Sequence, residues 1–126
     1  MFMPLDEKVT REERPVWYVG GYSLYPKPIW GRLLLTNRRL AFIQQRVLDR
    51  ETRKFEDVKV CVESSHDKLR DAKSEIRDSE IGLHRFAVLA ITLDTMTRVE
   101  RPVFEVRDPE EWALVIEKAK AASANY

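Results

Sequence analysis

Two apolar runs separated by a short polar turn dominate residues 29–45, which read IWGRLLLTNRRLAFIQQ. Both runs are rich in residues that favour strands, and Asn37 between them tolerates the positive φ of a tight turn. The sequence therefore predicts a β-hairpin with Asn37 and Arg38 at its turn. Its predicted pairs are Leu33–Phe42 and Leu35–Leu40 on one face, and Leu34–Ala41 and Arg32–Ile43 on the other.

The length and composition indicate one globular domain. The chain has 126 residues, of which 44% are hydrophobic and 34% are charged, which is enough to bury a single core. Its formal net charge is only +1. Because proteins that bind nucleic acid through phosphate contacts normally carry a strong basic excess, we expect no nucleic-acid partner.

The sequence also bears on where the protein works. It has no apolar run of about 18 residues that could span a membrane, and its first 15 residues lack the apolar region of a secretory signal. Its one cysteine, Cys61, has no partner for an internal disulfide. These features predict a cytoplasmic protein and leave peripheral membrane association open.

Four further segments have strand character. Residues 16–24 are rich in β-branched and aromatic residues around two glycines, which predicts a bulged strand. Residues 57–63 alternate, with Val58, Val60 and Val62 on the buried face and Cys61 on the polar face. Residues 86–93 are apolar throughout and predict a central strand. Residues 99–106 predict another strand, in which Pro102 favours an edge or an unpaired position.

Three charged segments have no clear strand pattern. Residues 1–15 are interpreted as a loose N-terminal lead-in, and residues 46–56 as a charged connection. Residues 64–83 are the most polar stretch and are interpreted as an insertion. Within it Leu69, Ala72 and Ile76 have the spacing of a short amphipathic helix, although a solvated, mobile segment fits equally well.

A C-terminal helix is predicted from residue 108 onward. Asp108 is suited to the N-cap and Pro109 to the first helical position, and two glutamates follow where they complement the helix dipole. An apolar stripe follows at helical spacing, formed by Trp112, Val115, Ile116 and Ala119. We expect a mostly β fold whose bent antiparallel sheet is closed at one end by this helix.

The motif GRLLLTNRRLAF, residues 31–42, resembles the signature of GRAM domains and bacterial pleckstrin-homology-like (PH-like) domains, and a similar hairpin occurs in GLUE domains. The helix with its inward Trp112 is similar to the closing helix of that superfamily. The resemblance implies a PH-like split β-barrel or roll of about seven antiparallel strands capped by one helix. It also implies a non-enzymatic adaptor without cofactors, whose partner is a protein in membrane trafficking or an ESCRT-type assembly.

The same resemblance implies an alternative ligand, acidic lipid headgroups or phosphoinositides on an anionic membrane surface. Lys27 and Arg32 match the outer basic positions of the phosphoinositide pattern, whereas Trp30 occupies its middle basic position. Arg38 and Arg39 add charge at the hairpin turn, where arginines can grip phosphate. The candidate ligand-binding residues are therefore Lys27, Arg32, Arg38 and Arg39, although arginines that merely keep a sheet surface soluble would give the same pattern.

The second apolar face of the hairpin, formed by Leu34, Ala41 and Ile43, needs a cover. The candidates are the stripe Leu69, Ala72 and Ile76, a second copy of the chain, or another protein, so both a monomer and a homodimer are compatible with the sequence. His66 and His84 lack neighbours at metal-ligand spacing, and no catalytic constellation is recognisable. We therefore predict neither a metal nor an enzymatic activity.

Overall fold

A computed structural model describes residues 6–78 and 85–124 of the chain. The described elements are β1 Val9–Gly20, β2 Ile29–Thr36, β3 Arg39–Asp49, β4 Lys54–Ser65, β5 Leu69–Asp78, β6 Arg85–Asp94, β7 Val99–Glu100, β8 Val103–Glu105 and α1 Pro109–Ala124. The strands form one antiparallel sheet with the order β4-β3-β2-β1-β8-β6-β5, and β7 pairs with β6 beside this path. The sheet is open, with edges at β4 and β5. This confirms the predicted fold, a mostly β domain of about seven main strands with a C-terminal helix, consistent with a PH-like architecture.

The core lies between the inner face of the curved sheet and α1. Leucines of the hairpin and of β6 pack there with aromatic residues of several elements. The largest fully buried members are Trp112, Tyr18, Phe42, Phe104, Leu33, Leu35, Leu40, Leu89, Ile91 and Leu93. The hairpin register is as predicted, with the pairs Leu33–Phe42, Leu34–Ala41, Leu35–Leu40 and Arg32–Ile43 all present.

The C-terminal helix begins and packs as predicted. The Asp108 carboxylate accepts a hydrogen bond from the Glu111 N–H at 3.1 Å, which caps the first turn. Trp112 and Ile116 are fully buried against the sheet. The Trp112 Nε1–H donates to Glu13 of β1 at 2.9 Å, so the helix is tied to the sheet by a polar contact as well as by packing.

The prediction of a loose lead-in over residues 1–15 is wrong from Val9 onward, because β1 begins there. The charged side chains of this part of β1 have partners far away in the sequence. Arg11 pairs with Glu111 at 3.3 Å, and Glu12 with Arg32 at 3.2 Å. This part of β1 therefore forms a strand without alternating apolar residues, because its charged side chains are paired with residues of other elements.

The prediction of an insertion over residues 64–83 is also wrong for its described part. β4 continues to Ser65, a short 3-10 helix spans His66–Lys68, and β5 follows. The helical spacing of Leu69, Ala72 and Ile76 is a coincidence. The charged residues repeat with a period of two, at positions 71, 73, 75 and 77, as expected of a strand with one polar face. The rest of the predicted insertion, residues 79–84, lies outside the described residues.

Two strand details differ from the predictions. A bulge between Phe42 and Ile43 in the pairing of β3 with β4 places Val62 opposite Phe42 and Val60 opposite Ile43. The three valines of residues 57–63 therefore do not share one face, and Cys61 is buried in the core rather than on the polar face.

The predicted strand over residues 16–24 ends early, and the predicted strand over residues 99–106 is divided at Pro102. β1 ends at Gly20, and Gly21 has a φ of +93°, where a Cβ atom would lie only 2.0 Å from the Arg101 carbonyl oxygen. Pro102 lies between β7 and β8 and belongs to neither, which agrees with the predicted unpaired position. The alternative of an edge strand is wrong, since β8 lies between β1 and β6. Proline has no N–H to donate, but no sheet hydrogen bond is lost at Pro102 because it lies between the two strands. The Pro102 carbonyl oxygen accepts a hydrogen bond from the Ile91 N–H at 3.0 Å.

Candidate functional site

The four basic residues predicted to bind a ligand do not converge on one site. Lys27 lies in the connection before β2, and Arg38 lies in the turn after β2. Because β2 has eight residues, each advancing about 3.3 Å, its two ends are roughly 25 Å apart. Arg39 lies at the Arg38 end, and Arg32 lies in the middle of β2.

Arg32 is engaged in ion pairs across the sheet. Its guanidinium donates to both carboxylate oxygens of Asp57, at 3.1 and 2.7 Å, and to Glu12 at 3.2 Å. Burial acts to raise the pKa of Asp57, but hydrogen bonds from Arg32 and Gln45 and the charge of Arg32 outweigh it and hold the pKa below its ordinary value. An anionic ligand at Arg32 would have to displace a bidentate carboxylate.

Arg38 and Arg39 also have carboxylate partners. Arg38 pairs with Asp6, and Arg39 donates to Glu7 at 2.9 and 2.8 Å and contacts Glu63. The Glu7 side chain is buried. Burial acts to raise the pKa of Glu7, yet hydrogen bonds from Arg39 and Thr36 and the charge of Arg39 keep it below its ordinary value. These contacts give both arginines a role within the fold.

The second hairpin face is covered, but not by the predicted stripe. Leu34, Ala41 and Ile43 are at most 1% exposed. Leu69 and Ala72 instead belong to the core on the opposite side of the sheet, and Ile76 is 73% exposed. The stripe failed as a cover because its segment is an edge strand paired with β6.

The open edge of β5 next to α1 is the site that the sequence did not reveal. The Ala72 N–H points away from β6 and donates a hydrogen bond to the Glu117 carboxylate of α1 at 3.0 Å. Its cross-strand neighbour Ile91 likewise directs its N–H away from β5, toward Pro102. Since the backbone direction alternates along a strand, Ser74 and Ile76 also direct their N–H and C=O groups outward.

Side chains of α1 occupy only the first part of this edge. Lys120 donates to the Arg70 carbonyl and Glu117 accepts from the Ala72 N–H. Beyond them, the outward backbone groups of Ser74 and Ile76 have no such side-chain partner within the described residues. Unpaired groups of this kind can accept another strand.

A shallow apolar groove runs beside this edge, between β5 and α1. Its volume is about 340 Å³, and its lining residues are Ala72, Ser74, Glu110, Ala113, Leu114 and Glu117. Leu114 is 62% exposed, and Ile76 is exposed at the same end. The exposed Ile76 within a polar strand is the one sequence signal that could have indicated this surface.

The remaining candidate groups are the cysteine and the two histidines. Burial raises the pKa of the Cys61 thiol, which disfavours the nucleophilic thiolate. The His66 Nε2 lies 3.0 Å from the Thr36 carbonyl oxygen, and His84 lies outside the described residues. Within residues 6–78 and 85–124, His, Cys, Asp and Glu side chains do not gather in a group that could hold a metal ion.

No protein-family model matches the chain, and a search of curated proteins found no match. In the described part of the chain, α1 included, no helix combines the length and apolar character needed to cross a bilayer.

Proposed function

We propose that this chain is a non-enzymatic interaction module, an adaptor similar in kind to GRAM and GLUE domains, that binds an extended segment of a protein. The observation that carries the proposal is the outward backbone of Ser74 and Ile76 beside the groove between β5 and α1, which no described strand pairs with on that side. In strand addition, main-chain hydrogen bonds supply affinity, and pockets for alternate side chains supply specificity. The outward backbone groups of Ser74 and Ile76 and the adjoining groove support this mode of binding.

The groove favours a particular kind of segment. Ala113 and Leu114 offer an apolar surface for one side chain of an added strand. Glu110 and Glu117 line the same groove, so a basic residue in the segment would be favoured over an acidic one. The resemblance of residues 31–42 to families of binding modules supports a binding role independently, and it suggests partners in membrane trafficking.

Peptide selection tests this proposal. Random peptides displayed on phage are selected against the purified chain, and the affinities of the selected peptides are measured by fluorescence titration. We expect Leu114→Glu to weaken binding at least about tenfold, the equivalent of about 1.4 kcal/mol, because it places a charge in the groove. Leu48→Glu is the matched control, since Leu48 is equally apolar and exposed but lies at the end of β3.

Two results would overturn the proposal. One is a selection that yields no binding peptide. The other is a set of peptides that lose affinity with Leu48→Glu and keep it with Leu114→Glu, which would place the binding surface elsewhere.

Binding of acidic lipid headgroups is less well supported as the alternative. Arg32, Arg38 and Arg39 are each paired with carboxylates. Of the four predicted ligand-binding residues, Lys27 is the one that is exposed without a described ion pair. A single lysine contributes about 1 kcal/mol at an anionic surface, which is too little to hold a protein there.

A further inference from the structure

The charged side chains of β5 alternate in sign, so the strand is electrostatically complementary to an antiparallel copy of itself. Its outward-facing charges, in order, are Asp71, Lys73, Glu75 and Arg77. The other face carries Ala72, Ser74 and Ile76. Read backwards, the charges become Arg, Glu, Lys and Asp, so every position meets its opposite.

We propose that the segment bound at the β5 edge is the β5 strand of a second copy of this chain. The two strands run antiparallel, with Ser74 on the two-fold axis. This inference rests on the proposed function, because both use the same edge of the sheet. In this register Lys73 lies opposite Glu75 of the second copy, and Asp71 lies opposite Arg77 of the second copy, each twice in the dimer.

The backbone direction of β5 is compatible with this register. Residues 72, 74 and 76 direct their N–H and C=O groups outward, so Ser74 pairs with Ser74 of the second copy, and Ala72 with Ile76, as hydrogen-bonded pairs. Residues 71, 73, 75 and 77 then form the pairs without hydrogen bonds. In antiparallel sheets these are the pairs whose side chains approach most closely, and that is where all the charge pairs fall.

The neighbouring registers are electrostatically unfavourable. With Glu75 on the axis, Glu75 faces its own copy and Lys73 faces Arg77. With Lys73 on the axis, Lys73 faces its own copy and Asp71 faces Glu75. Like charges directly opposite destabilise a strand pair, so the charge order disfavours both neighbouring registers. The register with Ser74 on the axis brings all four charged residues of each strand opposite a residue of opposite charge.

Two features of the isolated chain fit this pairing. The exposed Ile76 would lie opposite Ala72 of the second copy, at the groove formed by Ala113 and Leu114, and the same contact would occur twice. The Asp71 Oδ1 is buried and has no hydrogen-bond partner among the described residues, and Arg77 of the second copy would provide one. In the dimer the Ala72 N–H would donate to a main-chain carbonyl of the second copy instead of to Glu117. The Glu117 carboxylate would then be solvated by water.

Charge reversal provides the test, with the mass in solution measured by sedimentation equilibrium over a concentration series. We expect the full chain to reach twice its 14.8 kDa mass. Lys73→Glu alone and Glu75→Lys alone each place like charges opposite one another and should weaken dimerisation at least about tenfold. An equimolar mixture of these two variants restores opposite charges at every position, so it should form a heterodimer.

Two further variants control for loss of the fold and for the effect of a charge change by itself. Glu75 also pairs with Arg101, so Glu75→Lys can weaken the fold itself. Ile76→Glu changes an exposed side chain and places a carboxylate against Glu110 and Glu117 of the groove, so it should give a folded monomer, with circular dichroism confirming the fold. Lys118→Glu makes the same charge change on the exposed face of α1 and should leave the dimer intact.

The possible failures are distinguishable. A wild-type chain that stays monomeric, while selected peptides still bind the groove, would overturn the second copy as the occupant and leave the proposed function standing. A dimer that survives Ile76→Glu, or a mixture of the two charge variants that does not associate although circular dichroism shows both to be folded, would overturn this interface.

Discussion

Arg39 holds a buried carboxylate in place. The Glu7 side chain is only 1% exposed, and it accepts two hydrogen bonds from the Arg39 guanidinium and one from the Thr36 hydroxyl at 2.7 Å. Taking a charge out of water is costly unless a partner compensates it. An arginine beside a turn thus indicates a ligand site in the sequence but serves here as a counter-ion for the protein's own glutamate.

The prediction at this scale concerns the loss of that counter-ion. Arg39→Ala should lower the free energy of unfolding by about 3–5 kcal/mol, because it leaves the Glu7 carboxylate buried and without its charged partner. The measurement is urea unfolding followed by circular dichroism. Arg46→Ala is the control, since Arg46 pairs with Glu56 on the surface, and an exposed pair of this kind contributes less than about 1 kcal/mol. Equal losses in the two variants would mean that Glu7 is solvated.

At the scale of elements, α1 stabilises the sheet through one large side chain. Trp112 is fully buried among residues of the core, and its Nε1–H is bonded to Glu13. Arg11 of β1 also lies over the indole, 4.9 Å from the ring centroid. Helix and sheet therefore depend on the same side chain.

Replacing Trp112 by alanine should lower the free energy of unfolding by about 3–5 kcal/mol, through lost burial and the cavity that remains. Leu114→Ala, two positions along the same helix, is the control. Leu114 is exposed, so its loss should change stability by less than about 0.5 kcal/mol. Thermal and urea unfolding of both variants check this, and a Trp112→Ala protein as stable as Leu114→Ala would contradict the assigned packing of α1.

The elements that the sequence predicted are those whose signals are local. The hairpin of β2 and β3 is specified by its turn and by two apolar runs, and α1 by its N-cap and one stripe, so both appeared with the expected register or start. The first half of β1 and all of β5 were missed because their charges are balanced by residues far away in the chain. Glu12 needs Arg32, and Glu75 needs Arg101, and nothing near either glutamate in the sequence indicates its partner.

The candidate site was unpredictable for a related reason. An edge strand is defined by the neighbour that it does not have, and this is a property of strand order rather than of any segment. The sequence showed Ile76 as part of a helical stripe. Among the described strands, β5 pairs with β6 on one side and with none on the other. This strand order leaves Ile76 exposed beside a groove.

At the scale of the whole molecule, positive charge is dispersed and largely neutralised. The formal net charge is +1, and the arginines at the hairpin are tied to carboxylates of β1, β4 and the residues before β1. Lys27 and Arg38 lie at opposite ends of β2. Charges so far apart exceed the Debye length of about 10 Å at 0.1 M salt, and they therefore act separately on a ligand.

This layout predicts the outcome of a vesicle experiment. Sedimentation with vesicles that contain phosphatidylserine should recover no more protein than sedimentation with neutral vesicles at 0.1 M salt, because Lys27 and Arg38 lie too far apart to act together and Arg32 and Arg39 are paired with carboxylates. Lys27→Glu and Arg38→Glu should each leave the recovered fraction unchanged. Binding that requires the anionic lipid, weakens with added salt and is lost with Lys27→Glu but kept with Arg38→Glu would instead favour the acidic-headgroup alternative. It would also place that ligand at the end of the sheet that holds the connection between β1 and β2, because Lys27 lies there and Arg38 does not.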